Sequence, residues 1–286
     1  MEKIGFIGLG IMGKPMALNL IKAGYAVSVL ASSKEAQTLK DAGATIHESP
    51  KTMAEASDVI ITMLPDSPQV EDIVLGTNGV IEGIGAGKLY VDMSTIAPST
   101  SKDIYQKMKD KGVEALDAPV SGGQVGAETA SLSIMVGGNA SAFERALPIF
   151  QAMGKNIVLI GKPGAGQTTK ACNQVIVGMT IQAVAEAFNM AKEAGVDLEK
   201  MREVLLGGFA QSRILDLHGK RIIDENFKPG FKIKLHKKDL DIALKTGESL
   251  GVSMEGTAQV ASQMTKAIVQ GKGELDHSAL YLMLQK

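Results

Sequence analysis

Two side chains of this 286-residue chain, Lys170 and Asn173, have types and a spacing suited to acid–base chemistry. Residues three apart share one face of a helix. The segment from Gln167 to Ala194 is apolar almost all round, which predicts a helix buried on every side. Burial disfavours the charged form of a lysine, as a proton donor and acceptor near neutral pH requires. The alternative is a surface lysine at a helix start, with an asparagine that satisfies backbone groups.

A second group is Ser121-Gly122-Gly123, which follows the run Asp117-Ala118-Pro119-Val120. A Ser-Gly-Gly turn can expose consecutive N–H groups beside a hydroxyl, an arrangement that suits a substrate carboxylate. The alternative is a plain tight turn. Two further loops, Met63-Leu64-Pro65 and Ser94-Thr95, also follow apolar runs. Ligands of open parallel sheets bind at the carboxyl ends of strands, so we expect these loops to line a site.

The third group is the glycine turn Gly8-Leu9-Gly10-Ile11-Met12-Gly13, which matches G-x-G-x-x-G. In such turns the first glycine makes the tight turn, the second lets the backbone approach a pyrophosphate, and the third lets helix pack on strand. The motif alone is a weak signal. Here an apolar run, the turn, a helical pattern and a second apolar run follow in order, so we predict a nicotinamide dinucleotide site with helix N–H groups facing the phosphates.

The end of the second apolar run indicates which nicotinamide dinucleotide binds. NAD-specific sites usually have Asp or Glu there, whereas this chain has Ala31-Ser32-Ser33-Lys34. Two hydroxyls and an ammonium are suited to a 2′-phosphate, so NADP (NADPH) is the expected cofactor and NAD the alternative. The competing interpretation is that Ser32 to Lys34 only start the next helix, with Ser32 or Ser33 as its N-cap.

The elements that must position these groups are predicted by seven short apolar runs separated by helical stretches. This alternation predicts a doubly wound, largely parallel α/β sheet of the Rossmann type over residues 1–162. Residues 163–286 carry helical patterning broken by glycines, which predicts an all-α substrate and oligomerisation domain. The runs are Ile4–Ile7, Ala26–Leu30, Val59–Leu64, Leu89–Met93, Val113–Leu116, Ile134–Val136 and Ile157–Ile160.

Composition excludes several function classes. Lys plus Arg (30) nearly balance Asp plus Glu (31), so no overall field favours nucleic acid or a membrane surface. The single cysteine, Cys172, agrees with a reducing compartment, and with no signal peptide or membrane segment evident we expect a cytoplasmic protein. Helical spacing turns Cys172 away from Lys170, which favours a packing role. The four histidines are scattered without metal-ligand spacing, so no metal site is expected.

These motifs together resemble the β-hydroxyacid dehydrogenase family, which includes 3-hydroxyisobutyrate dehydrogenases, tartronate semialdehyde reductases and glyoxylate/succinic semialdehyde reductases. The resemblance covers essentially the whole chain. Within the family the chain is most similar to the tartronate semialdehyde (2-hydroxy-3-oxopropionate) reductases. The segments that carry it are Gly5–Gly13, Asp92–Pro98, Asp117–Gly123, Gly164–Gly166 with Lys170 and Asn173, Asn173–Val177, Phe227–Phe231 and Lys237–Leu240.

The resemblance implies a role for each matching residue. Lys170 would be the catalytic acid/base and Asn173 would position the substrate, whose carboxylate Ser121, Gly122 and Gly123 would hold. Thr95 and the loop of Met63, Leu64 and Pro65 would line the nicotinamide and its ribose. Phe231 and Lys238 would reach the cofactor from the helical domain. The chain departs from the family pattern at Ala31 to Lys34 and at Phe209 to Arg213.

The resemblance thus implies NADP-dependent reduction of a small semialdehyde acid in a homodimer or homotetramer. Within the family, the alternatives are a 3-hydroxyisobutyrate dehydrogenase and a succinic semialdehyde or glyoxylate reductase. From a different class, the chain could be a catalytically silent dinucleotide-binding module. The intact set of Lys170, Asn173 and Ser-Gly-Gly argues against the silent module.

Overall fold

The computed structural model describes residues 1–285 and contains two compact units, Met1–Lys170 and Ala171–Lys286. The division falls inside one long helix, Ala165–Glu193. The expected boundary at residue 162 lies a few residues earlier, between the last strand and this helix.

The first unit is built on one nine-stranded sheet. Its strands are β1 Lys3–Ile7, β2 Ala26–Leu30, β3 Thr45–His47, β4 Val59–Thr62, β5 Leu89–Asp92, β6 Glu114–Asp117, β7 Val120–Ser121, β8 Leu132–Gly138 and β9 Gly154–Gly161. They lie in the order β3-β2-β1-β4-β5-β6-β8-β7, with β9 paired to β8. Strands β1 to β6 pair in parallel, and β8 runs antiparallel to β6 and β7. The predicted doubly wound α/β fold is confirmed.

Eight helices pack on this sheet in the first unit. All four residues of β4 and of β5 are buried, because helices cover both faces of the central strands. One hydrophobic core therefore lies on each face: Phe6, Met16 and Phe150 belong to one, and Ile60 and Tyr90 to the other. The helices are α1 Gly13–Lys22, α2 Ala36–Asp41, α3 Pro50–Ala56, α4 Ser67–Leu75, α5 Val80–Gly83, α6 Pro98–Asp110, α7 Gly123–Glu128 and α8 Ala140–Gln151.

Each predicted strand is present, and its ends either match the prediction or differ from it by at most three residues. Strands β3 and β7 were not predicted. They contain three and two residues, too few for a periodic pattern to distinguish them from a loop.

The second unit is helical. It contains residues 171–193 of α9 (Ala165–Glu193), together with α10 Leu198–Leu206, α11 Arg213–Ile223, α12 Ile233–Ser249, α13 Glu255–Val269 and a 3₁₀ helix His277–Met283. Its core combines Ile181, Phe188, Leu240, Met264 and Leu280. Among the described residues, no helix is both long enough and apolar enough to cross a membrane.

The sequence led us to expect that helix α9 is buried on every side, but part of its surface is exposed. Ile176 and Met190 are 66% and 73% exposed, and Cys172 is exposed as well. Burial on every side is therefore not seen within the single chain, because an apolar composition reports the side chains and not what covers them. The packing role expected for Cys172 is not seen within the single chain either.

Candidate active site

The glycine turn after β1 has the geometry that a pyrophosphate requires. Gly8 has φ +103°, and a Cβ there would lie 2.2 Å from the carbonyl oxygen of Met63. A Cβ on Gly13, the first residue of α1, would lie 1.8 Å from the oxygen of Gly8. The Cβ position of Gly10 faces open space. Two glycines thus close the turn and the third leaves its backbone accessible, so the residues present fit a dinucleotide.

The segment after β2 lies beside this turn. Ser32 and Lys34 are exposed and Ser33 is half-buried. Helix α2 begins only at Ala36 with Glu35 in the N-cap position, so Ser32 and Ser33 are not its N-caps. The Oγ of Ser33 accepts a hydrogen bond from the backbone N–H of Glu35 at 3.3 Å. Ser33 thus holds the turn that leads into α2, although the N-cap position that the alternative assigned to a serine belongs to Glu35.

Glu35 is a carboxylate near this segment that sequence reasoning missed. The Nζ of Lys14, in the first turn of α1, lies 2.6 Å from Glu35 Oε2. This hydrogen-bonded ion pair lowers the pKa of Glu35. Glu35 directly follows Ala31-Ser32-Ser33-Lys34, so its place in the sequence was the available signal.

The loops after β4 and β5 are joined to each other and to the glycine turn. The backbone N–H of Leu64 donates to Ser94 Oγ at 2.9 Å, and the N–H of Ser94 donates to Asp92 Oδ1 at 3.1 Å. Because Gly8 packs against the carbonyl of Met63, all three segments meet at the carboxyl end of the parallel strands. Half-buried Thr95 directly follows Ser94.

Lys170 is brought to the Ser-Gly-Gly turn. Its side chain is buried, with 7% exposure of the residue, and Nζ donates to the carbonyl of Val120 at 2.8 Å. Val120 directly precedes Ser121. Gly122 and Gly123 are exposed and have φ values of +139° and +61°. The surface-lysine alternative is therefore wrong, and a buried proton-carrying group lies beside an accessible glycine turn.

Two buried residues that sequence reasoning did not assign to the site anchor the start of α9. Asp117, at the end of β6, accepts hydrogen bonds from the backbone N–H groups of Gly164 and Gln167. The Gln167 side chain, 1% exposed, donates to the carbonyl of Ser94 at 2.8 Å and accepts from the N–H of Ile96. A carboxylate between the apolar residues Leu116 and Ala118 was the available signal for Asp117.

In the second unit, two of the remaining candidate residues, Asn173 and Lys238, belong to one network of polar side chains. The Asn173 amide donates to Gln174 Oε1 at 2.8 Å, and Gln174 Nε2 donates to Asp239 Oδ2 at 2.6 Å. The ammonium of Lys238 lies 2.8 Å from Asp239 Oδ1. Asn173, three residues after Lys170 on α9, is thereby linked to Lys238 on α12. Asp239 is buried, and its two carboxylate oxygens contact Gln174 and Lys238, which joins the two ends of this network.

The third candidate of this unit, Phe231, packs against an unexpected cluster of histidines. Its ring lies 5.5 Å from that of His277. His277 Nδ1 is 2.9 Å from His236 Nδ1, and His277 Nε2 is 3.3 Å from His218 Nε2. Three of the four histidines that are scattered along the sequence therefore meet in the fold. Burial lowers the pKa of His277 well below its usual value, with His236 and His218 adding to the effect.

Asp276 completes this cluster. Its carboxylate accepts from the backbone N–H groups of Gly230, Phe231 and Ser278 and from the Ser278 hydroxyl. Burial alone would raise its pKa, but hydrogen bonds, first of all from His218 and also from Ser278 and Phe231, hold that pKa well below the ordinary value. His218, Asp276 and His277 offer ligand atoms within 4.8 Å of one another. The four donors already occupy the carboxylate, which makes it an anchor for the surrounding loops.

Comparison with known families agrees with this geometry. Residues 3–161 match the family model described as the NAD binding domain of 6-phosphogluconate dehydrogenase. Residues 164–284 match the model described as NAD-binding of NADP-dependent 3-hydroxyisobutyrate dehydrogenase. The two matches together extend over nearly the whole chain.

Individual relatives are similar along their full length. The 2-hydroxy-3-oxopropionate reductase of Escherichia coli is 47% identical over 283 residues, covering 99% of this chain and 97% of that protein. The NAD-dependent L-serine dehydrogenase of Pseudomonas aeruginosa is 35% identical, covering 98% and 97%. The solved 3-hydroxyisobutyrate dehydrogenase of Mycobacterium tuberculosis with L-serine superposes with a TM-score of 0.92 at 31% identity, covering 100% of both chains.

Proposed function

The chain belongs to the β-hydroxyacid dehydrogenase family of NAD(P)-dependent oxidoreductases, and from this premise we propose that it reduces a small semialdehyde acid of the tartronate semialdehyde type to the hydroxy acid. The observation that carries the proposal is the buried ammonium of Lys170, 2.8 Å from the carbonyl that precedes Ser121-Gly122-Gly123. The full-length similarity to a 2-hydroxy-3-oxopropionate reductase supports this choice of substrate class.

In the mechanism, Lys170 is the general acid. NADPH, held by the glycine turn of Gly8 to Gly13, would supply a hydride to the aldehyde carbon. Protonated Lys170 gives its proton to the carbonyl oxygen, so that negative charge does not build up on that oxygen. In the oxidation direction neutral Lys170 takes the proton of the hydroxyl group. The carbonyl of Val120 orients Nζ, and the buried position keeps water away from it.

The other site residues bind and orient. The hydroxyl of Ser121 and the accessible backbone of Gly122 and Gly123 hold the substrate carboxylate. Asn173 positions the substrate one helical turn from Lys170. For the cofactor, the proposed contacts are Gly8 to Gly13 at the pyrophosphate and Met63 to Pro65 and Thr95 at the nicotinamide ribose. Phe231 and Lys238 are further proposed cofactor-binding residues.

NADP is the proposed cofactor in preference to NAD. The support is local: Ser32 and Lys34 are exposed and serve no helix cap. The nearby carboxylate of Glu35 is paired with Lys14, which reduces its repulsion of a 2′-phosphate.

The test measures reduced-cofactor consumption with tartronate, methylmalonate and succinate semialdehydes and with glyoxylate. We expect the highest kcat/KM with tartronate semialdehyde, and a kcat/KM for NADPH at least tenfold above that for NADH. Lys170→Ala should lower kcat by roughly a thousandfold, the middle of the range for a general acid, while dinucleotide binding persists.

The matched control is Lys162→Ala, which removes an ammonium from the loop that precedes α9 and should leave kcat unchanged. Undiminished turnover in Lys170→Ala would refute the role of Lys170. Preference for another semialdehyde would reassign the substrate to one of the related dehydrogenases. Nucleotide binding without turnover of any substrate would identify a silent module.

Two further properties belong to this proposal. A homodimer or homotetramer is supported by the exposed apolar side chains of α9, among them Ile176 and Met190. A reducing, cytoplasmic location is supported by the single, exposed thiol of Cys172.

A further inference from the structure

The helix that carries Lys170 is held at its start by one buried carboxylate. Asp117 accepts the N–H of Gly164 on Oδ1 at 2.7 Å and the N–H of Gln167 on Oδ2 at 2.8 Å. The first N–H groups of a helix have no partner inside it. Since α9 begins at Ala165, Asp117 fixes both the approach to the helix and its first turn.

The surrounding backbone is shaped to admit this carboxylate. A Cβ on Gly137 of β8 would lie 2.5 Å from Asp117 Oδ1. A Cβ on Gly166 would lie 2.9 Å from Oδ2 and 2.6 Å from the carbonyl oxygen of Asp117. Side chains at these two positions would displace the carboxylate or the helix, so the close approach of α9 to β6 depends on both glycines.

The same short segment contacts the helix a second time. Val120, three residues after Asp117, accepts the hydrogen bond from Lys170 Nζ. Residues 117–120 therefore hold α9 through a carboxylate at its first turn and through a carbonyl at Lys170. Because Ser121 follows directly, these two attachments set where Lys170 lies relative to the Ser-Gly-Gly turn.

Gln167 extends the attachment to the loop after β5. Its Nε2 donates to the carbonyl of Ser94 at 2.8 Å, and its Oε1 accepts from the N–H of Ile96 at 3.1 Å. Thr95 lies between these two anchored residues. A shift in the first turn of α9 would therefore be passed to the loop proposed to line the nicotinamide.

We propose that Asp117 is a positioning residue that must be ionised to hold Lys170 in place beside the Ser-Gly-Gly turn, and that protonation of Asp117 slows the reaction. The inference deepens the proposed function and rests on the role of Lys170 given there. Asp117 touches neither substrate nor cofactor in this proposal and acts through the helix.

The surroundings of Asp117 place its titration within reach of ordinary assay conditions. Burial raises its pKa to about 6, although the hydrogen bonds from Gly164 and Gln167 oppose the rise and Asp92 adds to it. The titratable groups that line a small cavity with it are Asp92 and Tyr90 of β5 and Tyr105 of α6. The side chain of Lys102, also on α6, packs against Gly164.

Protonation changes what the carboxyl group can accept. An ionised carboxylate offers one good acceptor oxygen to each of the two N–H groups, whereas a protonated carboxyl has one oxygen occupied by its own hydrogen. Below about pH 6 one of the two attachments of the first turn is therefore weakened. A displacement of Lys170 by a fraction of an ångström is enough to slow proton transfer.

The test compares the pH dependence of kcat in the wild type and in Asp117→Asn. The asparagine imitates the protonated state, because its amide accepts only one of the two N–H groups and turns its NH₂ towards the other. We expect the wild-type kcat to fall below a midpoint near pH 6. For Asp117→Asn we expect kcat roughly tenfold lower at pH 7.5, loss of the fall near pH 6, and a dinucleotide Kd within about twofold of the wild type.

Asp110→Asn is the matched control, since this exposed aspartate at the end of α6 interacts only locally, with Gln106. It should keep both kcat and the pH profile. A wild-type kcat and an unchanged fall near pH 6 in Asp117→Asn would overturn the proposal.

A second measurement needs no variant. The amide ¹H resonances of Gly164 and Gln167 in the wild-type enzyme should shift together with a midpoint near pH 6, and invariant resonances would overturn the proposal.

The proposed function and the role of Asp117 can be refuted separately. Full turnover in Lys170→Ala would remove the proposed function and leave the amide titration unaffected, while a normal pH profile in Asp117→Asn beside an inactive Lys170→Ala would remove only the role of Asp117.

Discussion

Single residues decide whether the nucleotide turn can bind. The three glycines of the motif have different roles, because Gly8 and Gly13 are in close contact with backbone oxygens, whereas Gly10 faces open space. The first two are needed for the fold of the turn itself. Gly10 is needed only if something approaches its backbone closely, as a pyrophosphate does.

This difference gives a prediction at Gly10. Gly10→Ala should leave the free energy of unfolding of the apo protein unchanged to within about 0.5 kcal/mol, since its added methyl group meets no atom of the chain. The same variant should raise the dinucleotide Kd at least tenfold, because the methyl group occupies space that the pyrophosphate requires. Calorimetric titration and chemical denaturation measure the two quantities.

The control is Gly85→Ala, which adds the same methyl group at another open position with ordinary backbone geometry. It should change neither stability nor affinity. Equal dinucleotide affinity in Gly10→Ala and Gly85→Ala would show that the turn does not hold the pyrophosphate.

At the scale of elements, loops without regular structure are held in place by buried carboxylates. Asp117 ties the start of α9 to β6, and Asp276 ties the loop before α12 to the 3₁₀ helix His277–Met283. The two differ in their surroundings. Asp117 lies near another carboxylate, Asp92, and its pKa is raised, whereas Asp276 lies near His218 and Arg221 and its pKa is lowered.

We expect Asp276→Asn to destabilise the second unit by about 2–4 kcal/mol at pH 7, because a buried carboxylate with four donors and the cationic neighbour Arg221 is replaced by a group that donates. A carboxylate with a lowered pKa stabilises the fold above its unfolded-state value of 3.8 and loses that effect as the pH falls. The difference in the free energy of unfolding between the wild type and Asp276→Asn should therefore become smaller at acidic pH.

Urea denaturation at pH 7 and pH 3 measures this difference. Asp224→Asn is the control, since Asp224 forms an exposed ion pair with Lys220 and should contribute less than about 1 kcal/mol. A loss of stability in Asp276→Asn that is no larger than in Asp224→Asn would contradict the anchoring role.

At the scale of the whole molecule, the exposed apolar side chains of α9 are unusual for a monomer. Ile176 and Met190 expose about two-thirds or more of their surface, and Met179 exposes 45%. Large apolar side chains exposed along one helix point to an interaction site. It supports the proposed homo-oligomer.

The double variant Ile176→Glu/Met190→Glu should lower the molar mass measured by light scattering, because a charge buried in an apolar contact is strongly unfavourable. Lys200→Glu, at a largely exposed position of α10, changes surface charge without touching this stripe and should leave the mass unchanged. A monomeric wild type, or a mass that the double variant does not alter, would exclude α9 as the contact.

The sequence by itself determined the features that depend on neighbours along the chain. The glycine turn, the order of strand and helix, and the change to an all-helical second half were predicted from local patterns, since periodicity and turn chemistry act within a few residues. The buried position of Lys170 was a hypothesis from its apolar segment, with a surface lysine as the alternative. The structure decided between them.

Only the tertiary structure decided what distant residues do to one another. Asp117 reaches Gln167 across fifty positions, and His218 meets His277 across fifty-nine. No local pattern encodes such contacts, because they form only when the sheet and the helices have packed. The sequence likewise did not show that one side of α9 is exposed. The apolar composition of a helix face is the same whether that face packs in the protein interior or lies on the surface of the chain.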